Sequence, residues 1–321
     1  WGAGNFVPDG EVLHLHSDDA DAELEIVNGI DLGSSGSNAR EIRVANNGAS
    51  LDDLAVLSGV VFASGGVQGI HKSGEGTLKL SGNNTYNGVT TIDNGQLRAQ
   101  NGVGLPAGSA LRLRGGILES WGTFARNLGS DSGNVNWTDD TDEGDGGFAA
   151  LEEALEVTLA GGANLAWNVG GFVPTDRDLL FGTEVANQVV TLHNSIDLGA
   201  FQRTVRVFDN AASFADRAVL AGVLFGTGGM VKKGNGALEL SATNLYTGTT
   251  SVDNGHFILS GSVAGPVRVK SSGEISGGGT IFGVLENSGT HAVRSVETLK
   301  VNGTAILDLD SQLTITENYS Q

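Results

Sequence analysis

A chain of 321 residues can bury a sizeable core, and its 50 glycines without a Gly-X-Y period exclude a collagen helix. Against 37 acidic side chains stand 18 basic ones, a formal charge of −19 that repels nucleic acid and anionic lipid and excludes both as principal partners. There is no Cys, hence no disulfide frame and no thiolate chemistry, and no apolar run approaches the roughly 18 residues of a membrane-spanning helix.

In chain order, short runs of alternating polarity predict strands at 41–44, 55–57, 60–62, 77–80, 90–92 and 96–98, separated by Gly, Asn, Asp and Ser. The pattern then returns. Trp1 with Phe6-Val7-Pro8 matches Trp167 with Phe172-Val173-Pro174, and Ile30-Asp31-Leu32-Gly33 matches Ile196-Asp197-Leu198-Gly199. Further on, Asn84-Thr85-Tyr86-Asn87-Gly88 matches Asn244-Leu245-Tyr246-Thr247-Gly248 after small deletions that mark loops. The organisation expected is a first repeat unit at 1–100, inter-repeat coils with an acidic loop at 101–166, a second unit at 167–260 and terminal coils at 261–321.

Strand spacing near ten residues suits either a sandwich or the faces of a coil. Hairpin turns are scarce, and a large unit recurs with variable insertions, which favours the coil. The expected fold is therefore all-β, a right-handed parallel β-helix (β-solenoid) with loop insertions, at about 20–25 residues per coil. Leu78, Leu80, Ile92 and Leu97, with Leu238, Leu240, Val252 and Phe257 in the second unit, should point inward.

The stretch from Lys72-Ser73-Gly74-Glu75-Gly76-Thr77-Leu78 through Asn84-Thr85-Tyr86 to Asp93-Asn94-Gly95-Gln96-Leu97, with its second copy from Lys232 to Gly255, resembles the autotransporter-associated β-strand repeat, or passenger-associated transport repeat. That resemblance implies a β-helix exported to the bacterial surface or beyond it, where the repeat assists secretion and extends a shaft. Within the repeat, Asn84 and Asn244 read as turn residues bonding their own backbone, with Gly88 supplying a positive φ. Tyr86 and its counterpart Tyr246 read as structural residues of the same turn, and Trp1 and Trp167, at equivalent repeat positions, as packing at a coil corner.

Several constellations invite chemistry. Asp139, Asp140, Asp142, Glu143 and Asp145 are candidate calcium ligands, hard oxygens closely spaced before Gly146, although the spacing lacks an EF-hand pattern. His14 and His16 would share one face of a strand and could hold zinc, but the second unit has Leu180 and Gly182 there. Ser132, in Gly129-Ser130-Asp131-Ser132-Gly133, lacks a recognisable histidine context and reads as a loop residue. Trp121 and Trp137 in the middle segment are candidates for stacking on sugar.

The function expected is a structural extracellular or cell-surface β-helix, part of a larger passenger-like fibre, shaft or adhesin, without enzymatic activity and without a cofactor beyond candidate calcium. Alternatives are a polysaccharide-acting β-helix enzyme and a calcium-binding surface adhesin. Partners expected are further repeats of the same protein or self-association, and a cell-surface or polysaccharide ligand. Neither end reads as a finished domain, so continuation at both ends is expected.

Overall fold

The computed structural model describes residues 1–2, 6–34, 39–138, 143–291 and 299–307. These residues form two compact units, residues 1–161 with 168–177, and residues 162–167 with 178 onward. Each unit is a stack of short strands in which every strand pairs in parallel with its counterpart one coil later, the arrangement of a parallel β-helix.

In the first unit, one face stacks Leu13–Leu15, Arg40–Val44, Ile70–Ser73, Thr90–Ile92, Leu111–Leu113 and Val135–Asn136. A second face stacks Leu24–Ile26, Leu54–Leu57, Thr77–Leu80, Gln96–Ala99, Ile117–Arg126 and Gly146–Leu159. A third, shorter face pairs Ile30–Asp31 with Val61–Phe62. The second unit repeats the plan. Its first face runs from Leu179–Phe181 through Arg203–Val207, Met230–Lys233 and Thr250–Val252 to Val267–Val269. Its second face runs from Val190–Leu192 through Arg217–Leu220, Ala237–Leu240 and Gly255–Leu259 to Gly273–Ser276.

Alternation builds the core because, in a strand, every second side chain points inward. In the register of the second face, Ala55, Leu78, Leu97, Leu118 and Phe148 lie one above the next, each with no exposed surface. In the second unit the column is Ala218, Leu238, Phe257 and Ile275, equally buried. All eight inward positions expected from the sequence are buried. Each such large aliphatic or aromatic side chain contributes about 1.5–3 kcal/mol relative to exposure.

Two expectations change. The register step exceeds the expected range of about 20–25 in both directions, from 16 positions, Glu274 to Thr290, to 33, Gly122 to Leu155. The long steps are absorbed outside the faces, where corner loops tolerate extra residues without disturbing the inward alternation. The other change concerns Trp137, which is fully buried and donates its indole N–H to the Gly146 carbonyl at 2.9 Å. It stands edge-on to Phe148 and Phe172, with ring centroids 6.0 and 5.3 Å away, so no face is open to a sugar. Trp121 is half-buried on Ile117–Arg126.

Candidate functional site

The two repeats carry the most specific chemistry in the molecule, and it is internal. Lys72 lies on Ile70–Ser73 at an inward position, in register between Ile42 and Ile92. Lys232 lies likewise between Val205 and Val252. Both are wholly buried in otherwise apolar columns. Such burial of an ammonium is expensive unless its donors are matched.

They are matched by backbone. Lys72 Nζ donates to the carbonyls of Ser73, Gly74 and Asn94 at 3.1, 2.5 and 2.9 Å. Lys232 Nζ donates to Lys233, Gly234 and Asn254 at 3.2, 2.6 and 2.9 Å. Two of each set of carbonyls come from the bend that follows the lysine, made by Gly74 at φ +76° and Gly234 at φ +78°, where the left-handed backbone turns its carbonyls away from the sheet ladder. The third comes from the coil above. Each ammonium thus caps three carbonyls and joins two successive coils. Burial pulls Lys72 down to about 7, against Glu75 and Asp93, which hold it up. Burial pulls Lys232 down to about 7 as well, opposed by Asp209.

The second shared element is an asparagine rung. Asn84 accepts the Val61 N–H at 2.7 Å and donates to the Gly104 carbonyl at 2.8 Å, so it bridges the coils on either side of its own. Asn244 accepts the Leu224 N–H at 2.9 Å and donates to Ser262 at 3.1 Å, and it also bonds its own turn as expected, donating to the Ala242 carbonyl at 2.9 Å. This corrects the reading of Asn84 as a residue that bonds its own turn. Gly88 is corrected too: it is absent from the positive-φ residues, and its constraint is contact, since a Cβ there would meet the Gln68 carbonyl carbon at 2.2 Å. Gly248 repeats the constraint, 2.5 Å from Gly228.

Beside the rung, the buried Tyr86 hydroxyl bonds Thr90 at 2.9 Å, and Thr90 bonds Ser109 at 2.8 Å. Tyr246 bonds Thr250 in the same way. Burial pushes both phenols above their ordinary range. Trp1 and Trp167 are buried at matching corners, where their backbone nitrogens donate to the carbonyls of Asp31 and Asp197. Asp31 and Asp197 each accept the N–H two residues on, from Gly33 at 2.9 Å and Gly199 at 2.8 Å.

On the outer side of the repeat, Asp93 accepts two bonds from Arg114, at 2.7 and 2.9 Å, and pairs with His71. Burial alone would raise Asp93, but the bonds from His71 and Arg114 prevail and hold it at about 2. Its counterpart Asp253 takes Lys270 at 2.7 Å and the Ser251 hydroxyl at 2.6 Å, and is likewise lowered despite burial.

Asp139, Asp140 and Asp142 lie outside the described residues; Glu143 is exposed, and Asp145 is half-buried with its carbonyl accepting the Gly115 N–H at 2.6 Å. Among the described residues no group of three acidic or histidine side chains is placed to hold a metal ion. His14 and His16 do not share a strand face. The strand ends at Leu15, and His16 takes φ +62° where the second unit has Gly182 at +71°. Ser132 is exposed and spends its hydroxyl on the Gly108 carbonyl at 2.6 Å.

The buried lysines were not singled out by sequence reasoning, which treats Lys as a surface residue. The signal was available in Lys-x-Gly-x-Gly, present at Lys72 to Gly76 and again at Lys232 to Gly236.

Parallel coils with a duplicated lysine cage and asparagine rung are what the comparisons with known proteins fall on. The passenger-associated-transport-repeat model matches at residues 70–99 and 230–256, the two stretches that hold these networks. The chain is 28% identical over 254 residues, 61% of its length, to the adhesin BmaC autotransporter of Brucella suis biovar 1, of which it covers 7%. It is 37% identical over 92 residues, 28% of its length, to an extracellular serine protease of Serratia marcescens, covering 9% of that protein. It is 32% identical over 90 residues, 26% of its length, to the autotransporter lipoprotein NalP of Neisseria meningitidis serogroup B, covering 8%. The chain therefore spans less than a tenth of each relative. No solved structure matches it. These similarities make it an exported segment, extracellular or at the cell surface. Among the described residues no helix is long and apolar enough to cross a membrane.

Proposed function

We propose that this chain is a structural section of a larger surface passenger, a coil-stacked shaft with adhesive display, in which each transport repeat acts as a staple that locks one coil onto the next. The observation that carries this reading is the duplicated cage: Lys72 and Lys232 each tie the bend of one coil to a carbonyl of the following coil, at 2.9 Å in both copies. A coil added to a growing stack gains ladder hydrogen bonds only along its strands, whereas its corners carry carbonyls with no strand partner. A side chain that reaches back from the previous coil satisfies those corners and fixes the register of the next turn.

The adhesin relative supports an adhesive role for the whole protein, and a catalytic role is not part of this reading, although one relative, matched over 28% of the chain, is an extracellular serine protease. The test is refolding of residues 1–321 from urea, wild type against Lys72→Met with Lys232→Met, followed by hydrogen exchange. Loss of protection in 73–76, 94–98, 233–236 and 254–259 is expected, with 117–126 retaining it. Equal protection throughout would show that the staples do not hold the coils.

A further inference from the structure

Asparagine followed by glycine is a chemically labile pair, because the glycine nitrogen reaches the asparagine side chain with no Cβ in the way. The chain holds eight such pairs. In four of them the glycine N–H is already spent: Gly88 donates to Gln68, Gly102 to Leu105, Gly236 to Val207 and Gly255 to Ser272. In a fifth, Asn47 holds its side-chain oxygen on the Ala49 N–H at 3.1 Å. Asn28, Asn94 and Asn302 remain, and among the described residues the Gly95 N–H meets no acceptor.

Asn94 differs from the other two in what its backbone carbonyl receives. The Lys72 ammonium donates to that oxygen at 2.9 Å. When a peptide nitrogen gives up its proton, the negative charge rests largely on the oxygen of the same peptide. A cation hydrogen-bonded there stabilises the anion as an oxyanion hole stabilises a tetrahedral intermediate. The peptide concerned joins Asn94 to Gly95, and its nitrogen is the atom that attacks. Asn94 is exposed, so water reaches its side chain. The coil above passes it with Gly115-Gly116, and even a Cβ on Gly115 would stand 3.2 Å from Asn94 Oδ1.

The second repeat supplies the comparison. Lys232 donates to the Asn254 carbonyl at the same 2.9 Å, but Asn254 is half-buried and the coil above carries Ser271-Ser272 in place of the two glycines. The Ser272 carbonyl holds the Gly255 N–H at 3.2 Å. One copy has the cation and a free nucleophile, and the other has the cation alone.

We propose that Asn94 is a self-modification site at which Lys72 promotes closure of a succinimide, so that the first cage alters with age while the second persists. The Gly95 nitrogen loses its proton to water and bonds to the side-chain carbonyl carbon of Asn94. The carbon–nitrogen bond of the side-chain amide breaks, and ammonia leaves after taking a proton from water. A further water opens the ring at either carbonyl, giving aspartate or isoaspartate. The isoaspartate product lengthens the main chain by one methylene at the bend and turns the carbonyl held by Lys72 into a carboxylate. The proposal takes from the staple reading only the Lys72–Asn94 bond and does not need that bond to hold the coils together.

The test is prolonged incubation of folded residues 1–321 at neutral pH, followed by peptide mass spectrometry of every Asn-Gly pair, with the same chain in urea as the reference. In the folded wild type, conversion at Asn94 is expected to exceed that at Asn254 by about tenfold, and in urea the two should convert alike. This comparison needs no variant. Lys72→Met should slow Asn94 by a similar factor in the folded chain and leave its rate in urea unchanged, whereas Lys232→Met should leave Asn94 as it is. Equal conversion at Asn94 and Asn254 in the folded wild type overturns the proposal. So does a Lys72→Met chain in which Asn94 converts as fast as in the wild type or faster. If that variant also loses hydrogen-exchange protection in 94–98, the staple reading stands and this proposal alone fails.

Discussion

The ammonium of Lys72 and the carbonyl of Asn94 are hydrogen-bonded at 2.9 Å across two coils of the helix, and Lys232 and Asn254 hold the same bond at the same distance 160 positions later in the sequence. The geometry persists although the residue between lysine and glycine differs, Ser73 in one and Lys233 in the other. Its constancy follows from the acceptors being backbone: a cage of carbonyls depends on the path of the chain and not on the side chains along it.

Replacing either lysine by methionine keeps much of the volume but leaves three buried carbonyls without donors. Each unsatisfied buried group costs about 1–3 kcal/mol, part of which is offset by relief of the desolvated charge. A net loss of about 2–4 kcal/mol per site is expected from urea unfolding followed at the affected coils, with Lys72→Arg no better because the guanidinium is too wide for the cage.

The lysines also make stability depend on pH. Both sit at about 7 in the folded protein, below the 10.5 of an unhindered lysine, so between these values the unfolded chain binds more protons. Stability therefore rises as pH increases from about 7 towards 10.5, and the penalty is full and constant below about 7. The urea midpoint at pH 9.5 should exceed that at pH 7, and the double Lys→Met variant should lose most of that difference. At the acid end Asp93 contributes in the opposite sense. Held at about 2 against an ordinary 3.8, it stabilises above 3.8 and that contribution is lost as pH falls through about 2.

Asn84 and Asn244 each answer one N–H and one carbonyl in neighbouring coils, and Asn244 also holds the Ala242 carbonyl of its own turn. Asn84→Ala should cost about 2–3 kcal/mol, and Asn84→Asp more, since it removes the donor and buries a charge. Differential scanning calorimetry of the single variants checks both the size and the order.

Gly88→Ala is expected to be among the most damaging single changes, because the added Cβ lies 2.2 Å from the Gln68 carbonyl carbon and backbone cannot yield as a side chain would. Gly102→Ala is the control: nothing lies within 4 Å of its Cβ position, so only the strain of φ +85° is incurred. Soluble yield and thermal midpoint should fall steeply for the first and mildly for the second.

Much of the fold was legible because parallel coils write a local rule into the chain. Leu78, Leu80, Ile92 and Leu97 alternate with polar neighbours, and alternation alone sets which way each points. What was not legible depends on the coil above or below. Asn84 looks like a turn residue until Val61 and Gly104 are known to flank it, and Gly88 looks like a positive-φ glycine until Gln68 is seen pressed against it. Trp137 suggested an exposed sugar platform because its cover includes Phe172, 35 positions away in sequence. Lys72 was the largest omission. Its burial depends on three carbonyls that no residue type reveals, and only the recurrence of Lys-x-Gly-x-Gly could have pointed to it.

The central claim, that each repeat encloses a buried ammonium, is tested most directly by reductive methylation of the native protein followed by peptide mass spectrometry. Lys72 and Lys232 are expected to stay unmodified while Lys79, Lys233, Lys270 and Lys300, which all retain solvent contact, react readily. After unfolding in urea all six should react at similar rates. Methylation of Lys72 and Lys232 in the native state at the rate of Lys270 would contradict the account.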